Sequence, residues 1–323
     1  MMTTRAYRAP FWLPGGHVQT IVAARCVPVP EVAYRRERWA TPDEDFIDVD
    51  FASPEPKDEA APVVVLFHGL EGSSRSHYAL SLMRHFADQG WRALVVHFRG
   101  CSGEPNRMAR AYHSGDADEG QWILRAVAKR WPKAPVHAVG ISLGGNMLAR
   151  WAGERGQEAT WLRAAVSVGS PLDLVASGDA LGRGLNRLYT QVFLRTLKPK
   201  AMAKARRFSG LASLEAIRCA RNLYEFDDVF TAPVHGFAGA LDYWTRASAK
   251  PVLQGIRMPY LLINALNDPF VPAHSLPTAA QVSKTVLLEQ PRHGGHIGFA
   301  QGRLPGRLDY LPQRIMRFFK TGA

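Results

Sequence analysis

Cysteine is scarce in this chain, and long hydrophobic runs are missing. The 323 residues hold three cysteines, Cys26, Cys101 and Cys219, scattered and odd in number. Such a set forms neither a disulfide framework nor the paired spacing of a metal site. Apolar runs such as Pro62–Phe67 have the length of a strand and are too short to span a bilayer. The N-terminal stretch meets Pro10 and Pro14 instead of an apolar signal core, so no leader is expected. Together these point to a soluble protein of a reducing compartment, most simply the cytoplasm. Acid is also in short supply. Lys and Arg number 40 against 28 Asp and Glu, a net charge of +12. The imbalance is local: between Arg183 and Arg221 lie ten Lys or Arg and one acid, Glu215. Such a stretch could meet nucleic acid, an anionic lipid or an anionic substrate, but charge runs are more often plain solvated surface. Nucleic acid is not among the expected partners.

What is present is enough apolar residue, 46%, to bury a large core. Residues 1–30, with four prolines, read as an irregular arm packed on that core. Val32–Trp39 and Phe46–Phe51 read as an antiparallel hairpin across a Pro-Asp-Glu-Asp turn. Val63–Phe67, Ala93–His97, Val136–Gly140, Ala164–Gly169, Tyr260–Asn264 and Thr285–Glu289 read as strands. Helical spacing over Ser76–Gln89, from Asp116 to about Trp131, over Leu143–Gly153 and over Pro312–Lys320 alternates with them. Asp116 and Glu119 resemble a capping box. Strands that alternate with helices predict an α/β fold, a mostly parallel central sheet with helices on both faces. The segment from Asp173 to Gly255 breaks the rhythm with helical patterns and no convincing strand. The expected division is therefore a core of residues 1–172 and 256–323 with an inserted helical cap at 173–255.

Chemistry enters at Gly140-Ile141-Ser142-Leu143-Gly144, directly after a strand and before a helix. Glycines on both sides of the serine suit a turn too tight for side chains, which lifts the hydroxyl from the end of the sheet. A serine hydroxyl is a poor nucleophile at neutral pH and needs a base, and the base needs an orienting acid. Asp268 follows the strand Tyr260–Asn264 and is the expected acid. His293 and His296 both follow the last strand. His296 is preferred because its neighbouring glycines let the loop curl toward the serine. The backbone N–H groups of Leu143 and of Leu70, in the loop His68-Gly69-Leu70-Glu71-Gly72, are the expected oxyanion donors. His68 is expected to hold that loop. His17 is read as packing or loop support, Cys101 as a small buried residue and Asp116 as a helix cap. Neither a metal nor an organic cofactor is called for.

The same motifs carry a family likeness. Phe11-Trp12-Leu13-Pro14-Gly15-Gly16-His17-Val18-Gln19-Thr20, His68-Gly69-Leu70-Glu71-Gly72, His97-Phe98-Arg99-Gly100-Cys101-Ser102-Gly103, Tyr112-His113-Ser114-Gly115-Asp116, Gly140-Ile141-Ser142-Leu143-Gly144-Gly145-Asn146 and His293-Gly294-Gly295-His296-Ile297-Gly298-Phe299 resemble the YheT-like branch of α/β-hydrolases, AB-hydrolase family 4. The resemblance implies a serine esterase or lipid hydrolase, with nucleophile, acid and base at Ser142, Asp268 and His296. The expected activity is carboxylic-ester hydrolysis through an acyl-enzyme, acting on a small-molecule ester or lipid. A phospholipase or lysophospholipase, or a thioesterase or acyltransferase, would use the same triad, and an idle binding protein would keep the fold without it. In the expected cap, Leu185, Leu188, Tyr189, Val192, Phe193 and Leu197 recur at helical spacing, and Lys198, Lys200, Lys204, Arg206 and Arg207 follow. This basic cap is read as solvated surface over a pocket-closing apolar face, with contact to anionic lipid as the functional alternative. The oligomeric state is not legible.

Overall fold

The structure, a computed structural model, describes residues 7–322. Its frame is an eight-stranded sheet. The strands are β1 (Tyr34–Ala40), β2 (Phe46–Ala52), β3 (Val63–Phe67), β4 (Arg92–Val96), β5 (Val136–Ile141), β6 (Ala164–Val168), β7 (Tyr260–Ile263) and β8 (Val286–Glu289). They run in the order β1-β2-β4-β3-β5-β6-β7-β8. β1 and β2 form an antiparallel hairpin, β2 meets β4 antiparallel, and every later pairing is parallel.

The continuous apolar runs are explained by burial on both faces. Every residue of β3 has no exposure to solvent. Val64 and Leu66 pack with helices α2 (His77–Asp88) and α11 (Tyr310–Thr321). Val63, Val65 and Phe67 pack the other way, against α3 (Ala117–Arg130) and α4 (Leu143–Arg155). After β3 the chain turns through α2 to β4 on one side, then returns through α3 to β5 on the other. That reversal leaves a crevice beyond the carboxyl ends of β3 and β5, where open α/β sheets bind ligands.

The N-terminal segment differs from the irregular arm its prolines suggest. Gly15–Arg25 is a helix, α1, with Pro14 at its N-cap. The prolines lie outside the helix and delimit it, since proline opens a helix readily but cannot continue one. Its buried residues are Gln19, Thr20 and Ala23, so no apolar stripe marks it in the sequence. The capping box at α3 is only half formed. Asp116 accepts from the Glu119 N–H at 3.2 Å, but the Glu119 carboxylate is taken by Arg99 at 2.6 Å. Other element ends differ from expectation by one or two residues, as fraying ends do.

Between β6 and β7 the described chain contains no strand. It forms α5 (Leu174–Leu181), α6 (Asn186–Arg207), α7 (Leu214–Cys219), α8 (Leu223–Phe226), a π-type turn over Asp227–Thr231, α9 (Ala232–Val234) and α10 (Ala240–Ala247). Among the described residues no helix is long and apolar enough to cross a membrane.

Candidate active site

Ser142 sits between β5 and α4 in a left-handed conformation, φ 51°, with its N–H bonded to the Val168 carbonyl at 2.8 Å. The flanking glycines are sterically required. A Cβ at Gly140 would lie 2.5 Å from the Gly144 carbonyl oxygen, and one at Gly144 would lie 2.5 Å from the Phe67 carbonyl oxygen. Gly145 is equally constrained, with Ser170 Oγ only 1.9 Å from where its Cβ would be. The turn thus holds a strained serine at the head of α4, whose N-terminal dipole faces the same point.

His296 Nε2 lies 3.0 Å from Ser142 Oγ, and His296 Nδ1 lies 2.8 Å from Asp268 Oδ2. The other carboxylate oxygen of Asp268 accepts from the N–H groups of Phe270, at 2.8 Å, and Val271, at 3.2 Å. The acid is therefore buried and fixed by its own turn. The His296 loop curls through Gly294, φ 148°, and Gly295, φ 56°, conformations that glycine adopts without penalty. His293 is exposed, outside this hydrogen-bonded chain. A hydroxyl within reach of an imidazole held by a carboxylate can lose its proton as it attacks a carbonyl.

Helix α1 ties the acid and base loops together. Gln19 Oε1 accepts from the Gly294 N–H at 2.8 Å and from Asn267 Nδ2 at 3.0 Å. Its amide nitrogen donates to the Leu13 carbonyl at 2.8 Å. The Thr20 hydroxyl accepts from the His296 N–H at 2.8 Å. These two residues were not singled out as site residues from the sequence. Their signal is no more than a polar pair on an otherwise apolar segment. His17 stacks on Tyr189 of α6, with its Nδ1 3.2 Å from the hydroxyl.

Two backbone N–H groups near the serine are left without a protein acceptor among the described residues. Leu143 is the first residue of α4, so its N–H has no acceptor within the helix. In the β3–α2 loop, the Gly69 N–H is bonded to Tyr78 Oη and the Glu71 N–H to Tyr112 Oη, both at 3.0 Å. The Leu70 N–H between them has no protein acceptor among the described residues. Gly69 approaches so closely that its Cβ would lie 3.2 Å from that of Ser142. His68 supports the loop, fully buried, with Nδ1 2.7 Å from the Gly69 carbonyl and Nε2 accepting from the Phe98 N–H. Burial pushes its pKa down to about 3, so it is neutral.

A family profile described as the alpha/beta hydrolase fold matches residues 62–302. The chain belongs to the alpha/beta hydrolase family. This hydrolase is 39% identical to YheT of Escherichia coli (strain K12), an esterase by name, over 88% of this chain and 84% of that one. It is 29% identical to the human phospholipase ABHD3 over 99% of this chain and 80% of that one. Among solved structures, the Pyrococcus furiosus esterase Pf2001 superimposes with a TM-score of 0.55 at 17% identity, over 90% of this chain and 92% of that one. That last likeness concerns the fold alone.

Above the serine of this hydrolase lies a cavity of about 720 Å³, bounded by Ser142, Leu143, Leu70 and His296 on the sheet side. The helices between β6 and β7 wall the opposite side with apolar groups, among them Leu174, Phe193, Leu197, Phe226 and Phe230. Cys101 also borders it. Burial pushes that thiol up to about 12, so it carries no thiolate.

The basic residues after α6 residue 197 combine exposure to solvent with specific partners. Lys200 pairs with Glu71 at 2.7 Å, next to Leu70. Lys198 donates to the Arg218 and Ala220 carbonyls, Lys204 to the Met108 carbonyl and Arg207 to the Asn106 carbonyl. Lys200, Lys204 and Arg207 border the cavity, and burial draws Lys204 down to about 8. Of the five residues, Lys200, Arg206 and Arg207 are exposed to solvent.

Proposed function

We propose that this protein is a serine hydrolase of carboxylic esters with an apolar acyl or alcohol portion. One observation carries the reading: the unbroken hydrogen-bonded chain from Ser142 Oγ through His296 to Asp268, at 3.0 and 2.8 Å. Ser142 attacks the ester carbonyl as His296 Nε2 takes its proton. Asp268 holds the imidazole by Nδ1 and stabilises the imidazolium that forms. The developing oxyanion is received by the N–H groups of Leu70 and Leu143 and by the positive end of α4. His296 then gives its proton to the leaving alcohol. An acyl-enzyme remains, and water activated by the same imidazole releases the acid and restores Ser142.

The apolar cavity wall supports a lipid-like ester, in keeping with the esterase and phospholipase names of the relatives. A phosphate-bearing lipid is the second reading, favoured by Lys204 and Arg207 on the same wall. The three dispersed free thiols support a reducing, cytoplasmic setting. A fluorophosphonate probe tests the mechanism, since only an activated serine is phosphonylated. Labelling of the wild type and its loss in Ser142→Ala, with ester turnover down by at least about three orders of magnitude, is expected. A Ser142→Ala protein that still labels or turns over normally rejects the mechanism. A ladder of p-nitrophenyl esters of rising chain length, beside anionic phospholipids, then separates the two substrate readings.

A further inference from the structure

Helix α6 is apolar on two sides. Phe193 and Leu197 face the cavity, while Leu185, Leu188 and Val192 face solvent at 65%, 67% and 49% exposure. These three are spaced i, i+3, i+7 and form one stripe along the first turns of the helix. A neighbouring helix extends the apolar area. The His17–Tyr189 stack joins α1 to α6, and both helices rest on the loop that carries Asp268. Asn186 donates to the Pro269 carbonyl at 2.6 Å, and Gly16 packs against Asn267. On α1, Val18 and Ile21 are turned outward, at 37% and 47% exposure. An isolated exposed leucine needs no explanation, but a stripe of three, with two more apolar side chains on a helix joined to it, does.

We propose that this outer face of α1 and α6 docks on the surface of an anionic lipid bilayer. The charge around it identifies the occupant. Arg183, Arg187 and Arg195 flank the stripe on α6 and its approach, and Arg25 lies on the outer side of α1. Arg183 stands 3.6 Å from Asp179. Arg187 and Arg195 have no carboxylate within ion-pair distance among the described residues. Apolar side chains between unpaired arginines suit a headgroup layer, where the hydrocarbon enters and the guanidinium groups meet phosphate. A second copy of the chain fits less well. A two-fold contact through this stripe would set Arg187 and Arg195 against the same arginines of the partner. The lysines beyond residue 197, turned toward the cavity and its rim, are not the docking charges. Docking here would hold the cavity, on the other side of the same helix, next to the lipid layer. The docking itself does not depend on the ester-hydrolase reading.

The test is co-sedimentation of the full chain with vesicles of phosphatidylcholine alone and of phosphatidylcholine mixed with phosphatidylglycerol. Binding to the mixed vesicles is expected, weaker on phosphatidylcholine and falling with salt, since the screening length shrinks from ~10 Å at 0.1 M to ~3 Å at 1 M. A Leu185→Ser/Leu188→Ser/Val192→Ser variant should lose at least about ten-fold in partitioning, because the apolar area it removes drives insertion. Its turnover of a soluble short-chain ester should match the wild type, which also verifies folding. Arg187→Gln/Arg195→Gln, a milder change, should lose preference for the anionic vesicles and keep what binding phosphatidylcholine supports. Wild type that sediments with neither vesicle, or a serine variant that binds as well as wild type, overturns the proposal. So does a wild-type dimer that the serine variant converts to monomer, which would assign the face to a second copy.

Discussion

The sheet and the helices between β6 and β7 bury their residues in different ways, and the difference decides how each is read. In the sheet, direction alternates strictly. Val63, Val65 and Phe67 enter one layer and Val64 and Leu66 the other, so a strand occupies one position between two cores. Between β6 and β7, a single helix serves two apolar environments. Phe193 and Leu197 of α6 wall the cavity, while Leu188 and Val192 of the same helix, and Leu185 at its N-cap, meet solvent. The sequence pattern announces the element in both cases, a strand in one and a helix in the other, but only in the sheet does it also say what lies on each side.

The catalytic reading belongs wholly to the sheet side, and the largest expected effect tests that. His296 and His293 are three residues apart on one loop, but only His296 reaches Ser142 and Asp268. His296→Ala should fall by about three orders of magnitude or more in kcat, as members of a triad act as a unit. His293→Ala, exposed, should stay within about two-fold, since surface changes away from the chemistry do little. Steady-state kinetics on one soluble ester decides this, and the reverse ranking would remove the assignment.

A smaller effect is expected from α1, which belongs to neither region by its sequence. Gln19 binds both the acid loop and the base loop without touching a reacting atom. Gln19→Leu should lower kcat about ten- to a hundred-fold with KM nearly unchanged, because a misaligned base weakens the transition state more than binding. Gln19→Glu keeps the acceptor for Gly294 and Asn267 but sets a carboxylate oxygen against the Leu13 carbonyl, so it should recover only part of the loss. A residue that merely stabilised the fold would change melting temperature without this split between kcat and KM, and the glutamate would not restore it.

These residues show where the sequence stops being legible. The serine turn declares itself because its reasons are local: an apolar run, then glycines whose Cβ atoms would strike Gly144, Gly145 and Phe67 backbone. Asp268 and His296 follow from chain order at strand ends. Gln19 has no such local sign, since its partner Gly294 is 275 residues away. The four prolines of the arm suggest irregular chain, though they only delimit α1. Glu119 carries a capping-box signal and is instead drawn to Arg99, which also binds Asp43 and Asp45. That buried cluster fixes the cavity rim, with Asp45 accepting from the Arg107 and Met108 N–H groups. The partners of the basic residues after Leu197 are not legible, because nothing local shows Glu71 opposite Lys200, the Met108 carbonyl opposite Lys204 or the Asn106 carbonyl opposite Arg207.

The smallest expected effect sets buried histidines against a buried carboxyl by pH. In the core, burial holds His68 down to about 3 and His137 down to about 4, against about 6.5 unfolded. The folded state therefore binds fewer protons than the unfolded chain between those limits. The stability they contribute is complete above about pH 6.5 and is lost as pH falls toward 4, each at up to about 1.4 kcal/mol per pH unit. Between β6 and β7, Asp227 lies on the π-type turn and borders the cavity. It accepts from the Thr231 hydroxyl at 2.6 Å and from Trp244 Nε1 at 2.8 Å, with no cation among these partners. Burial raises it to about 6, so here the folded state binds more protons than the unfolded chain between about pH 4 and 6. Its contribution runs the opposite way, falling as pH rises through that window. Asp227→Asn cannot ionise, so the stability difference between variant and wild type should move in the variant's favour by roughly 1–3 kcal/mol from pH 4 to pH 7. Urea unfolding of both proteins at the two pH values measures it. Wild type should weaken on acidification, the histidines outweighing the single carboxyl, and Asp227→Asn should weaken more steeply. A difference that does not change with pH would mean that water in the cavity keeps Asp227 at an ordinary carboxylate pKa, and its opposition to the histidines would vanish.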